Sequence, residues 1–120
     1  MVNLVALQMT SAPSVEENLD TVANEMASAK IEKDSLVVLP ECFAYFGGKD
    51  KGQLAVAETK GEGEIQRRLS ALAAQYQCYL VSGTFPVKTN SPEKFSAARM
   101  LFGPNGDVLA DYRKIHMFDV

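Results

Sequence analysis

The sequence predicts an α/β fold in which a mixed sheet is served by two main helices. Three observations support it. Apolar runs at residues 2–9, 36–39 and 79–85 read as strands, and between them lie two amphipathic stripes whose apolar residues recur at four, three and four positions. Beyond them, strand-like segments at 95–102 and 108–114 flank the turn signal Gly103-Pro104-Asn105-Gly106-Asp107.

The first strand carries Leu4, Val5, Ala6 and Leu7 in succession, a pattern suited to a strand covered on both faces. Ser14 then stands three residues before Glu17 as a capping box, and Glu16 and Glu17 occupy the first turn, where the helix dipole favours negative charge. The stripe Val15, Leu19, Val22 and Met26 must lie against a sheet or another helix, and Lys30 and Lys33 suit the carboxyl end. Asp34 and Ser35 break the pattern before the buried-type strand at 36–39, which Pro40 ends because proline cannot donate to the ladder. Residues 42–60 lack a period and contain Gly47, Gly48 and Gly52, so they read as a long functional loop with room for one short helix. Gly61 and Gly63 precede the second helix, whose stripe is Ile65, Leu69, Leu72 and Tyr76. The third strand follows at 79–85, and the hairpin closes the order.

Parallel pairs in such an order require right-handed crossovers. If both helices cover one face of the sheet, the other face is left bare, although its strands are apolar on both sides. Further sequence or a partner chain is expected to pack there.

Composition narrows the function classes. A chain of 120 residues, 47% hydrophobic and 22% charged, with no repeat, low-complexity tract or linker, is expected to form a single domain over residues 1–120. A net charge of -3 and a pI near 5.1 give no basic footprint for nucleic acid. No apolar run approaches the ~20 residues that cross a bilayer, and the apolar amino terminus has neither a basic flank nor a small-residue cleavage site. Cys42 and Cys78 have no metal-ligand spacing, so a cytoplasmic protein with reduced thiols and no metal or cofactor is expected.

Taken alone, Glu41 and Lys114 are ordinary surface charges. Position changes that reading for Glu41, the first polar residue beyond the carboxyl end of a strand, where open α/β sheets place their ligands. A carboxylate partly desolvated there can accept a proton. Leu39-Pro40-Glu41 and the string Tyr112-Arg113-Lys114-Ile115-His116-Met117-Phe118-Asp119, with Val5-Ala6-Leu7-Gln8-Met9 and Val81-Ser82-Gly83-Thr84, resemble the nitrilase superfamily of carbon-nitrogen hydrolases, and among these its Nit-type amidases. The resemblance runs over essentially the whole chain. It implies the amino-terminal half of a four-layer α-β-β-α sandwich and a glutamate, lysine and cysteine acting in that chain order. Glu41 would be the general base and Lys114 the oxyanion-stabilising ammonium. The nucleophilic cysteine and a second glutamate, which follow the lysine in the family, are absent from residues 1–120. The substrates so implied are small amides, carbamoyl groups or nitriles, attacked through a thioester, with a homo-oligomer as the full-length assembly. The isolated chain is expected to be catalytically incomplete.

Other candidates weigh less. Cys42 adjoins Glu41, but neighbours on an extended segment point to opposite sides, so a packing role is expected for it, as for Cys78. His116 has no partner at ligand spacing, and Gly61-Glu62-Gly63-Glu64 and Gly47-Gly48-Lys49 complete no phosphate-loop pattern. Tyr45 and Phe46 either line the substrate mouth or pack in the core. The rival to the enzyme is a non-catalytic interaction or ligand-binding module, either a pseudoenzyme that pairs with a full-length relative or a small α/β ligand-binding domain, which a genuine stop after codon 120 would favour.

Overall fold

The computed structural model describes residues 3–41, 43–45 and 50–117; the side chains of residues 50, 51 and 114–117 lie outside that description. In chain order the elements are β1 (Leu4–Ala6), α1 (Val15–Ser28), β2 (Leu36–Val38), α2 (Asp50–Ala55), α3 (Glu64–Tyr76), β3 (Tyr79–Val81), β4 (Phe85–Lys88), β5 (Lys94–Phe102) and β6 (Val108–Met117). The strands form one mixed sheet. β1, β2 and β3 are parallel, with Ala6, Val38 and Val81 in one row, and β4, β5 and β6 join antiparallel. The short α2 occupies the room left for it in the long loop.

Helix α1 starts where the capping box places it, with the Glu17 amide donating to Ser14 Oγ at 3.3 Å. It ends at Ser28, and Lys30 turns the chain with φ +54°, so Lys30 and Lys33 lie beyond the last turn instead of within it. Helix α3 begins at Gly63, which has no side chain to cap it. The cap comes from Glu58, whose carboxylate accepts from the amides of Ile65 at 2.6 Å and Gln66 at 3.2 Å.

The strand expected at 79–85 is broken in two. Ser82 leaves β3 to hold Met100 reciprocally, its amide donating to the Met100 carbonyl and its hydroxyl accepting from the Met100 amide, both at 2.9 Å. Gly83 and Thr84 then step across before β4 resumes along the same edge of β5. Pro86 is tolerated inside β4 because its carbonyl faces the Glu58 amide, away from β5. The missing N–H points the same way and no ladder bond is lost.

Both long helices cover one face. Leu19, Val22 and Met26 of α1 and Ile65, Leu69 and Ala73 of α3 are fully buried in one core with Val37, Leu80, Ala98, Met100 and Phe102. Asp20 and Arg68 tie the two helices at 2.9 Å on the surface. Among the described residues no element covers the opposite face: Leu36, Val38 and Val81 are only half-buried, and Leu4 is 68% exposed.

Candidate active site

The carboxyl end of β2 is built by the arrest of its ladder. The Leu39 amide still donates to the Val81 carbonyl at 3.0 Å, but Pro40 has no donor, and Glu41 is the first residue free of the sheet. Gly83 crosses so close to the Pro40 carbonyl that a Cβ there would overlap it, which is the reason for glycine at this point. The crossing brings Thr84 to Glu41, and Thr84 Oγ1 donates to Oε2 at 3.2 Å. The other carboxylate oxygen, Oε1, is paired with Nη2 of Arg99 on β5.

Glu41 is therefore oriented by one side chain from the β3–β4 link and one from β5, yet its side chain is 68% exposed. The partial desolvation expected from the sequence is not present; a guanidinium and a hydroxyl, with water, surround the carboxylate. An exposed pair of this kind contributes little to stability, ~0–1 kcal/mol, and its consequence is orientation. Lys114 stands on β6 opposite Ala97, two residues along β5 from Arg99. Its side chain lies outside the described residues, as do Cys42, Phe46 and the side chain of His116.

Tyr45 is half-buried and its ring lies against Gly52 of α2, while its carbonyl accepts from Gln53 Nε2 at 2.7 Å. Cys78 is fully buried, and burial pushes its thiol above the ordinary value, a setting opposed to nucleophilic use. The glycine-bearing turn before α3 has its anion position filled by the chain's own Glu58. Among the described residues no group of three His, Cys, Asp or Glu side chains could hold a metal, and no helix is long and apolar enough to cross a membrane.

The sequence placed Glu41 just beyond the end of β2, where it stands, but not the two groups that bond it. Arg99 and Thr84 lie 58 and 43 positions away from Glu41. The one local hint was a charged residue on the outward phase of an apolar strand, Ala97-Ala98-Arg99-Met100-Leu101.

With a proline-terminated strand delivering an oriented glutamate, residues 4–120 match the family profile described as carbon-nitrogen hydrolase. The chain belongs to the carbon-nitrogen hydrolase family. It is 35% identical over 118 residues to a deaminated glutathione amidase of Synechocystis and 34% identical over 118 residues to human omega-amidase NIT2. Those alignments take in 96% and 98% of this chain but only 42% and 40% of the relatives, so the chain spans about two fifths of their length. Among solved structures of carbon-nitrogen hydrolases and their kin, Saccharomyces cerevisiae Nit3, of the nitrilase superfamily, superposes with a TM-score of 0.71 at 29% identity, covering 96% of this chain and 44% of that one. The Caenorhabditis elegans NitFhit protein gives 0.77 at 26% identity, covering all of this chain and 30% of that one. The fold expected from the sequence, part of a nitrilase-type sandwich with a mixed sheet, is the one found.

Proposed function

We propose that this chain supplies the general base, Glu41, and the oxyanion-stabilising lysine, Lys114, of a cysteine-dependent hydrolase of small amides, carbamoyl compounds or nitriles. The observation that carries the reading is the orientation of Glu41 at the strand end by Thr84 and Arg99. The register supports the second role, since position 114 lies one pleat period along β5 from Arg99. The relatives' names, omega-amidase and deaminated glutathione amidase, favour a small amide over a nitrile. The nucleophile and any second glutamate lie outside residues 1–120, and the isolated chain is inactive. Tyr45, braced on Gly52, forms one wall of the substrate mouth, and Phe46 is the other aromatic residue assigned to it. The buried, reduced Cys78 fits a cytoplasmic setting, and a homo-oligomer is the expected full assembly.

The steps balance as follows. Glu41 takes the proton of the cysteine thiol, and the thiolate attacks the amide carbon. The Lys114 ammonium meets the oxygen that becomes negative. Collapse expels the amine, which takes the proton back from Glu41, and leaves a thioester. Glu41 then accepts a proton from water as that water attacks the thioester, and returns it to the departing thiolate. With Glu41 acting as base and Lys114 held as an ammonium, the thiol is the group that forms the covalent intermediate.

The test joins residues 1–120 in frame to the remaining segment of a related amidase that carries the cysteine, with ammonia release from a small ω-amide as the readout. Glu41→Gln and Lys114→Met are each expected to lower the rate ~100-fold or more while the fused protein keeps its melting temperature. A folded fusion whose Glu41→Gln form works at the parent rate removes the base assignment. Ammonia released by residues 1–120 alone refutes the statement that the nucleophile lies elsewhere.

A further inference from the structure

We propose that Asn18 and Ser11 form a clasp that positions Glu41, a role that rests on reading Glu41 as the base. Asn18 is a polar residue in the inward stripe of α1, 1% exposed between Val15 and Val22. A buried amide is costly unless its groups are paired, and a leucine there would serve the core better. Every donor of this amide is used. Oδ1 accepts from the Ala12 amide, and Nδ2 donates to the carbonyls of Ala12 and Ala44, all at 2.7 Å. Beside it, Ser11 Oγ donates to the Phe43 carbonyl at 2.9 Å. Two successive carbonyls just past Glu41 are thus held by side chains in the first turn of α1 and in the segment before it, 26 and 32 positions earlier in the chain.

The clasp closes a frame around the glutamate. Phe43 and Ala44 are fully buried, and the Phe43 ring meets Phe85 edge to face at 6.3 Å between centroids. Phe85 follows Thr84, the residue that donates to Glu41. On the other flank, Pro40 is fixed by its contact with Gly83. An exposed carboxylate has no packing of its own to hold it, so its place is set by anchors on the backbone either side. Asn18 and Ser11 are the anchors downstream. A displacement of ~1 Å at a catalytic group can cost ~100-fold in rate, which is why a buried amide is spent here.

The experiment uses isotope-labelled residues 1–120 and compares Asn18→Ala with Val22→Ala, a core truncation in the same helix. Both lower global stability. The clasp predicts that only Asn18→Ala loosens residues 43–45, with amide exchange there faster by about fivefold to tenfold beyond any change in β2 and β3, as expected for a lost hydrogen bond. It also predicts a weakened nuclear Overhauser contact between Glu41 and Thr84. Should Asn18→Ala fail to fold, the half-buried Ser11→Ala decides, because it removes the donor to the Phe43 carbonyl and leaves the core side chains in place; it gives the same pattern more weakly. If these variants change residues 43–45 only in step with the core and leave the Glu41 contact intact, the clasp is refuted. In the fused enzyme the same variants should lower kcat with KM unchanged. A clasp seen by exchange in a fusion indifferent to Glu41→Gln would overturn the functional reading alone.

Discussion

Replacing Glu58 by alanine should destabilise the chain by about 2 kcal/mol through the start of α3. The first turn of a helix leaves backbone amides without partners, and Gly63 offers no side chain to them. Glu58 takes up two, those of Ile65 and Gln66, and its Oε1 also accepts from Gln66 Nε2 at 3.2 Å. An ordinary cap is worth ~1 kcal/mol. An ionised acceptor raises that to ~1.5–3 kcal/mol per bond when buried, and the half-buried position of Glu58 brings the total back to about 2 kcal/mol. For a chain of this length, that is a fall of ~8 °C in melting temperature. With a urea slope near ~1.5 kcal/mol per molar, the midpoint falls by ~1.3 M. Glu58→Gln keeps an acceptor but loses the charge, and should cost about half as much. Urea titration followed by far-ultraviolet circular dichroism measures both. A Glu58→Ala midpoint within ~0.2 M of the parent would show that the carboxylate is not the cap, and a glutamine variant as stable as the parent would show that its charge adds nothing.

Gly83→Ala should cost ~3 kcal/mol or more, since its methyl meets the backbone of Pro40 and no flexible side chain can give way; urea melting, with the Glu41 amide shift as reporter, checks it. Val37→Thr should cost ~1–3 kcal/mol by burying a hydroxyl in the helix-covered core, while Leu36→Thr on the bare face should stay within ~0.5 kcal/mol; equal losses would mean that the bare face is covered in solution. Burial raises the Cys78 thiol, so the folded state holds that proton more tightly than the unfolded state and stability must fall as pH climbs past ~8.5. The stability difference between the parent and Cys78→Ala should therefore shift against the parent between pH 8 and pH 10, and a constant difference would contradict it.

The elements legible in the sequence were those coded locally. The stripes of α1 and α3 and the apolar run of β2 each declare their partner face by spacing, and Ser14 marks its helix within three residues. What escaped was coded at a distance. The run from Tyr79 to Phe85 has no local mark of its break, because the cause is Met100 on β5 and the Pro40 carbonyl. The cap of α3 was equally hidden, since its acceptor sits outside the helix on a residue whose backbone also bridges β4. The place of Glu41 after a proline-ended strand was legible, but its exposure and its pairing with Arg99 depend on a strand 58 residues later.

The bare face of the sheet has a consequence for what a stability measurement on this chain means. Leu4, Leu36, Val38 and Val81 of that face reach solvent. Anything that settles on those rows of leucine and valine acts as a ligand of the folded state and adds stability by mass action, about 2.7 kcal/mol at a hundredfold excess over its dissociation constant. The melting temperature of residues 1–120 is then a property of the solution as well as of the sequence, and it has meaning only alongside a stated protein concentration.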